Sequence, residues 1–126
     1  MAAPRKQIQV YVIDDEKSLQ RALLRLLKAA NIKASAYACV DEFLAASVKC
    51  DSACIVADVH IKGTNSLDLP RRLEKRGLNI PVIFITAYDT AETREQIKQI
   101  GAAGYFRKPV DDQALIDAIH WAVDND

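Results

Sequence analysis

The sequence predicts a single α/β domain of five strand–helix units, with a parallel sheet held between two layers of helices. Three observations carry that prediction. Apolar segments of strand length alternate with longer segments of helical period along the whole chain. The strand segments are apolar on consecutive residues rather than on alternate ones, so both of their faces need cover. Acidic, hydroxyl and basic residues stand where these segments end, not inside them.

The first strand is expected over Ile8-Gln9-Val10-Tyr11-Val12-Ile13, β-branched and aromatic, and Asp14-Asp15 stop it. From Lys17 to Ala30, Leu19, Leu23, Leu26 and Leu27 mark one apolar helix face, with Arg21, Arg25 and Lys28 on the other. Asn31 suits a left-handed stop. A second strand is expected over Lys33 to Tyr37, then a helix capped by Asp41 and covering Glu42 to about Val48. The third strand, Ala53-Cys54-Ile55-Val56-Ala57, ends at Asp58, and a loop over 60–66 follows. Pro70 is tolerated only in a first helical turn, so the third helix should start near Asp68 and end at Gly77. The fourth strand is Val82 to Thr86. Its helix carries a capping-box pattern, Asp89-x-x-Glu92, and stops at Gly101. The fifth strand spans about Gly104 to Phe106, and a last helix runs from Asp111 to about Val123. Right-handed crossovers then favour a doubly wound, five-stranded (βα)₅ sheet in the order 2-1-3-4-5, the flavodoxin-like arrangement.

Composition sets the bounds. The chain has 126 residues, one domain in length, and folding at this size hides roughly two-thirds of the unfolded surface. Lys plus Arg equals Asp plus Glu, so the basic excess of a nucleic-acid-binding surface is missing and no direct nucleic-acid contact is expected. Cys39, Cys50 and Cys54 lack metal-type spacing and read as reduced thiols, Cys54 buried at a strand start. Residues 1–7 form a short polar tail without a signal-peptide core, and no apolar run approaches the ~18 residues that span a membrane. A cytoplasmic protein without membrane contact is the expectation. Residues 8–123 form the domain, and 124–126 are a tail or the start of a linker, whether of a longer protein or a stand-alone one.

In an open sheet of this kind ligands bind beyond the carboxyl ends of the strands. There the order above gathers Asp14 and Asp15 from the first strand, Asp58 from the third, Thr86 from the fourth and Lys108 after the fifth. Three carboxylates so close repel one another by several kcal/mol at an effective dielectric near ~20. Hard oxygen donors with room for water and phosphate suit Mg²⁺, with Mn²⁺ as an alternative, and Lys108 adds a fixed positive charge.

The ordered set Asp14-Asp15, Asp58, Thr86-Ala87 and Tyr105-x-x-Lys108-Pro109 resembles the receiver domains of two-component response regulators over essentially the whole chain. The segments over 81–87 and 101–109 are especially similar to receivers that carry LuxR-type outputs. The resemblance implies that Asp58 accepts a phosphoryl group from a sensor histidine kinase or phosphotransfer protein. It implies Mg²⁺ ligation by Asp15, Asp58 and the His60 backbone carbonyl, with Asp14 acting directly or through water. Lys108, Thr86 and the Ala87 N–H would hold phosphoryl oxygens, and Thr86 and Tyr105 would form the switch. Lys108-Pro109 becomes a candidate cis peptide. Catalysis would extend only to the domain's own phosphorylation and dephosphorylation. The face of the fourth helix, fifth strand and fifth helix would signal onward and could pair two copies, while the Arg21 and Arg25 face of the first helix would dock the kinase.

The pattern is broken after Asp58, where Lys62 and Ser66 replace the loop Pro and Gly, and Gly63 is left to carry the bend. His60 and Tyr88, two residues beyond the phosphoacceptor and the switch hydroxyl, are expected to tune the phosphate's lifetime by shielding it from water. His60 as a general base is the competing expectation. Three rivals differ in testable ways: a receiver that never takes phosphate, a haloacid-dehalogenase-like phosphatase and a flavodoxin relative. The second needs D-x-D after the first strand, and the third needs N–H donors where this chain has acids.

Overall fold

A computed structural model describes residues 7–61 and 64–125. The expected alternation is present. β1 (Gln9–Ile13), α1 (Lys17–Ala29), β2 (Lys33–Tyr37), α2 (Val40–Ala45) and β3 (Ala53–Asp58) lead to a two-stranded antiparallel hairpin, β4 (His60–Ile61) and β5 (Thr64–Asn65). A 3₁₀ turn (Ser66–Asp68), α3 (Leu69–Lys75), β6 (Val82–Thr86), α4 (Ala91–Gln99), β7 (Gly104–Arg107) and α5 (Asp112–Asp124) complete it. The main sheet has five parallel strands in the order β2-β1-β3-β6-β7, which is second, first, third, fourth and fifth when the hairpin is set aside.

The consecutive apolar residues of the central strands split between two cores by alternation. Val10, Val12, Cys54, Val56, Ile83 and Ile85 face Leu23, Leu27, Leu115 and Ile119 of α1 and α5. Tyr11, Ile13, Ile55, Val82 and Phe84 face Phe43, Leu69, Leu73 and Ile97 of α2, α3 and α4. Every residue of β3 is buried, whereas β2, at the sheet edge, is half-exposed. Asn31 and Gly77 end α1 and α3 with φ of 62° and 70°, and all three cysteines are thiols, Cys54 buried. Among the described residues no helix is long and apolar enough to cross a membrane.

Local expectations fail at four places. α2 begins at Val40 after the extended Cys39, so Asp41 lies within the first turn instead of capping it, and its carboxylate pairs with Arg72 at 2.6 Å. The same helix ends at Ala45, because the chain beyond turns extended at Ala46 and is pinned to Tyr11, whose hydroxyl accepts from Lys49 N and donates to Lys49 O. Thr90, not Asp89, caps α4: its hydroxyl accepts from the Thr93 N–H at 3.1 Å. The segment expected as a loop after Asp58 is the hairpin and 3₁₀ turn, and Ser66 sits there without positive φ. Lys62 and Gly63 lie outside the described residues.

Candidate functional site

Parallel pairing in register brings the carboxyl ends of β1, β3 and β6 side by side, with Ile13 opposite Ala57 and Asp58 opposite Ile85. Asp14 follows β1 directly, and its N–H continues the ladder to Tyr37 O at 3.0 Å. Its side chain is fully buried and both oxygens are used: Oδ1 accepts from the Glu16 N–H at 2.8 Å and Oδ2 from Lys108 Nζ at 3.2 Å. Asp58, the last residue of β3, accepts from the His60 N–H at Oδ1 (3.1 Å) and from Lys108 Nζ at Oδ2 (2.9 Å). Lys108 therefore bridges two acids from neighbouring strands, with Glu16 farther off at 4.0 Å. The Lys108-Pro109 peptide is cis, and the Lys108 N–H donates to Thr86 O at 2.7 Å.

Electrostatics follow from this burial. Desolvation raises the Asp14 carboxyl above its ordinary range, opposed by the Glu16 N–H and the Lys108 charge and reinforced by the nearby Asp58. Burial alone would lower Lys108, but its hydrogen bond to Asp58 and the charges of Asp14 and Asp58 outweigh it, so the ammonium is held more firmly than usual. Asp15 is exposed and stands at the same mouth. Ligand oxygens of Asp14, Asp15 and Asp58 lie within 4.8 Å of one another, a span that one divalent ion can bridge. A set of carboxylate oxygens with no nitrogen or sulfur donor fits a hard cation such as Mg²⁺.

Thr86 ends β6 with its side chain buried. Its hydroxyl accepts from the Tyr88 N–H at 3.0 Å, and the Tyr88 carbonyl, at 3.4 Å, is a weak acceptor for its proton. Ala87 is exposed just beyond the strand. Tyr88 is 68% exposed, and its ring meets that of His60 edge-on with centroids 5.7 Å apart, so the two residues singled out as tuning positions touch over the site's rim. Tyr105 on β7 is half-buried and donates to Asp89 Oδ1 at 2.8 Å, while Arg94 faces the other Asp89 oxygen at 3.6 Å. Burial and the bond to Asp89 push the Tyr105 phenol up to about 12.

Three contributors escaped the sequence. Asp89 was expected as a helix cap, yet it anchors Tyr105. Gln20 donates its side-chain amide to the Asp14 carbonyl and reaches toward Tyr37 O, tying α1 to the site; only its place one helical turn into α1 could have hinted at this. Ser66, noted as a replaced glycine, buries its hydroxyl against the Asp58 carbonyl.

A family model for the response regulator receiver domain matches residues 10–120. The chain is 33% identical over 90% of its length to the transcriptional regulatory protein TdiR of Thauera aromatica, covering 50% of that protein. It is 32% identical over 90% to the transcriptional regulatory protein FixJ of Azorhizobium caulinodans, covering 54% of it. The chain thus spans about half the length of the curated relatives it matches. Among solved structures, a response regulator receiver protein from Burkholderia phymatum superposes with a TM-score of 0.79 and 39% identity, covering 94% of this chain and 96% of that one. The FixJ-N crystal structure superposes with a TM-score of 0.84 at 24% identity, covering 95% and 96%, a likeness of fold.

Proposed function

The chain belongs to the response regulator receiver domain family of two-component signalling, and from that premise we propose that Asp58 accepts a phosphoryl group in a Mg²⁺-dependent reaction. One observation carries the proposal: Asp58 lies at the end of the central strand with Lys108 on one oxygen and two further acids within 4.8 Å. A carboxylate oxygen of Asp58 attacks the donor phosphorus as the P–N bond of a phosphohistidine, or the P–O bond of an acyl phosphate, breaks. Charge spreads over the transferring oxygens, so the protein's task is positioning and electrostatic stabilisation. Lys108, already between the strands, stabilises one such oxygen. Thr86 and the Ala87 N–H take another. Asp14, Asp15, Asp58 and the His60 carbonyl would hold Mg²⁺, which when bound supplies positive charge against the phosphoryl oxygens.

Onward signalling uses the weak end of the site. A phosphoryl oxygen is a better acceptor than the Tyr88 carbonyl at 3.4 Å, so the Thr86 hydroxyl turns toward it. Tyr105 then leaves Asp89 for the space beside Thr86, and the face of α4, β7 and α5 changes shape. A sensor histidine kinase or phosphotransfer protein is the donor, met through the Arg21 and Arg25 face of α1. Pairing of two copies, where it occurs, uses the α4-β7-α5 face. His60 and Tyr88 shield the acyl phosphate from water.

The test is uptake of phosphoryl from a small acyl phosphate. Mg²⁺-dependent uptake by the natural chain and none by Asp58→Ala is the expected result. Equal uptake by both, or no uptake at all, removes the proposal, the latter in favour of a receiver that works without phosphate.

A further inference from the structure

The hydroxyl of Ser66 is a group that the chemistry above leaves unused. Ser66 is 2% exposed, and its Oγ donates to the Asp58 carbonyl at 2.5 Å, with the Val59 carbonyl at 3.3 Å. Its own N–H donates to the Val59 carbonyl at 2.8 Å. One residue of the 3₁₀ turn therefore holds the carbonyls of both residues that lead out of β3. On the other side of the same peptides, the Val59 N–H donates to Ile85 O at 2.9 Å and the His60 N–H to Asp58 Oδ1 at 3.1 Å. Ser66 thus supplies three bonds to the two carbonyls beside residue 58, two from its hydroxyl and one from its N–H.

We propose that Ser66 is a positioning residue for phosphoryl transfer: its buried hydroxyl holds the Asp58 and Val59 carbonyls, fixing two successive peptides, the second of which presents the His60 N–H that holds the Asp58 carboxylate toward Lys108. A buried hydroxyl contributes by being satisfied, and the same bond orients its acceptor. Removing it leaves the Asp58–Val59 peptide held by its Val59 N–H bond to Ile85 O, loosens its tilt and lets the carboxylate sample orientations away from Lys108. Small misplacements of a reacting group cost rate steeply. Ser66 touches neither the phosphoryl donor nor the carboxylate itself. It acts through the backbone.

The inference rests on the phosphoacceptor role given to Asp58, and the experiment separates the two. Ser66→Ala and Ser66→Gly remove the hydroxyl, and Ser66→Thr keeps it. Each is compared with the natural chain in urea unfolding, in hydrogen exchange at the His60 amide without metal, and in uptake from acetyl phosphate at saturating Mg²⁺. The expected result is exchange at His60 about fivefold faster in the Ala and Gly variants, as for loss of one ordinary hydrogen bond, with a comparable fall in maximal uptake rate and an unchanged half-saturating donor concentration. Ser66→Thr, if it folds, stays near the natural chain in both; if it does not fold, the Ala and Gly pair decides. Unaltered His60 exchange in folded Ala and Gly variants overturns the inference whatever happens to phosphate uptake. Faster exchange with uptake undiminished also overturns it. A natural chain that takes no phosphoryl group defeats the phosphoacceptor assignment and this role with it, and the exchange data then describe only a local staple.

Discussion

The two ends of the functional edge are held by bonds of different quality. At β1 and β3 the groups are buried and multiply bonded: Asp14 uses both oxygens, Asp58 uses both oxygens, and Lys108 spans them at 2.9 and 3.2 Å. At β6 and β7 the described bonds are fewer and one of them is long. The Thr86 hydroxyl meets the Tyr88 backbone at 3.0 and 3.4 Å, and the Tyr105 hydroxyl donates to the Asp89 carboxylate. A transferring group needs its surroundings fixed beforehand, whereas a signal needs an element that a modest free energy can move. Local stability is distributed accordingly.

Removing Lys108 breaks the rigid end most severely. Lys108→Ala leaves two largely buried carboxylates side by side, and we expect a loss of about 3 kcal/mol in urea unfolding in chelator, partly returned by Mg²⁺. Phosphoryl uptake should fall by about a hundredfold or more. Metal binding is the next largest effect. At about a hundredfold excess over its dissociation constant, Mg²⁺ should stabilise the natural chain by about 2.7 kcal/mol, and Asp15→Asn should lose most of that increment; an undiminished increment would detach Asp15 from the cation.

The soft end is tested through Asp89. Burial does most to raise the Tyr105 phenol and persists in Asp89→Ala, but the variant removes the bond and the negative charge that add to it, so the titration should fall from about 12 part of the way toward the ordinary tyrosine range. The sign follows from the folded-state value lying above the unfolded one. The neutral phenol's contribution to stability is complete below pH about 10 and disappears as pH climbs through about 12. Phenolate absorbance in the two proteins measures the shift. Asp89→Ala should also move resting Tyr105 toward its phosphorylated position, by about 1 kcal/mol. The smallest effect belongs to the rim: a His60→Asn/Tyr88→Ala variant should lose its phosphate a few-fold faster than the natural chain. Slower loss would favour His60 as a general base.

The fold was legible because it rests on patterns that tertiary contacts reinforce. Consecutive apolar residues in β3 and β6 demanded two covered faces, and the sheet order followed from that demand. The acids, the hydroxyl and the lysine were legible as strand ends. Details decided between near-equal neighbours were not. Asp89 and Thr90 are adjacent and both able to cap α4; a tertiary partner, Tyr105, claims the first and leaves the cap to the second. Asp41 is drawn to Arg72 across 31 positions of sequence, a pairing that no local pattern contains. The bond from Ser66 to Asp58 likewise depends on a hairpin whose short strands carry almost no periodic signal.

Location of the phosphoryl group bears most directly on all of this. After exposure to acetyl phosphate and Mg²⁺, digestion and mass spectrometry should find the added phosphoryl on Asp58 and on no other residue. A phosphoryl group on His60, on a hydroxyl residue or on another acid would contradict the assignment.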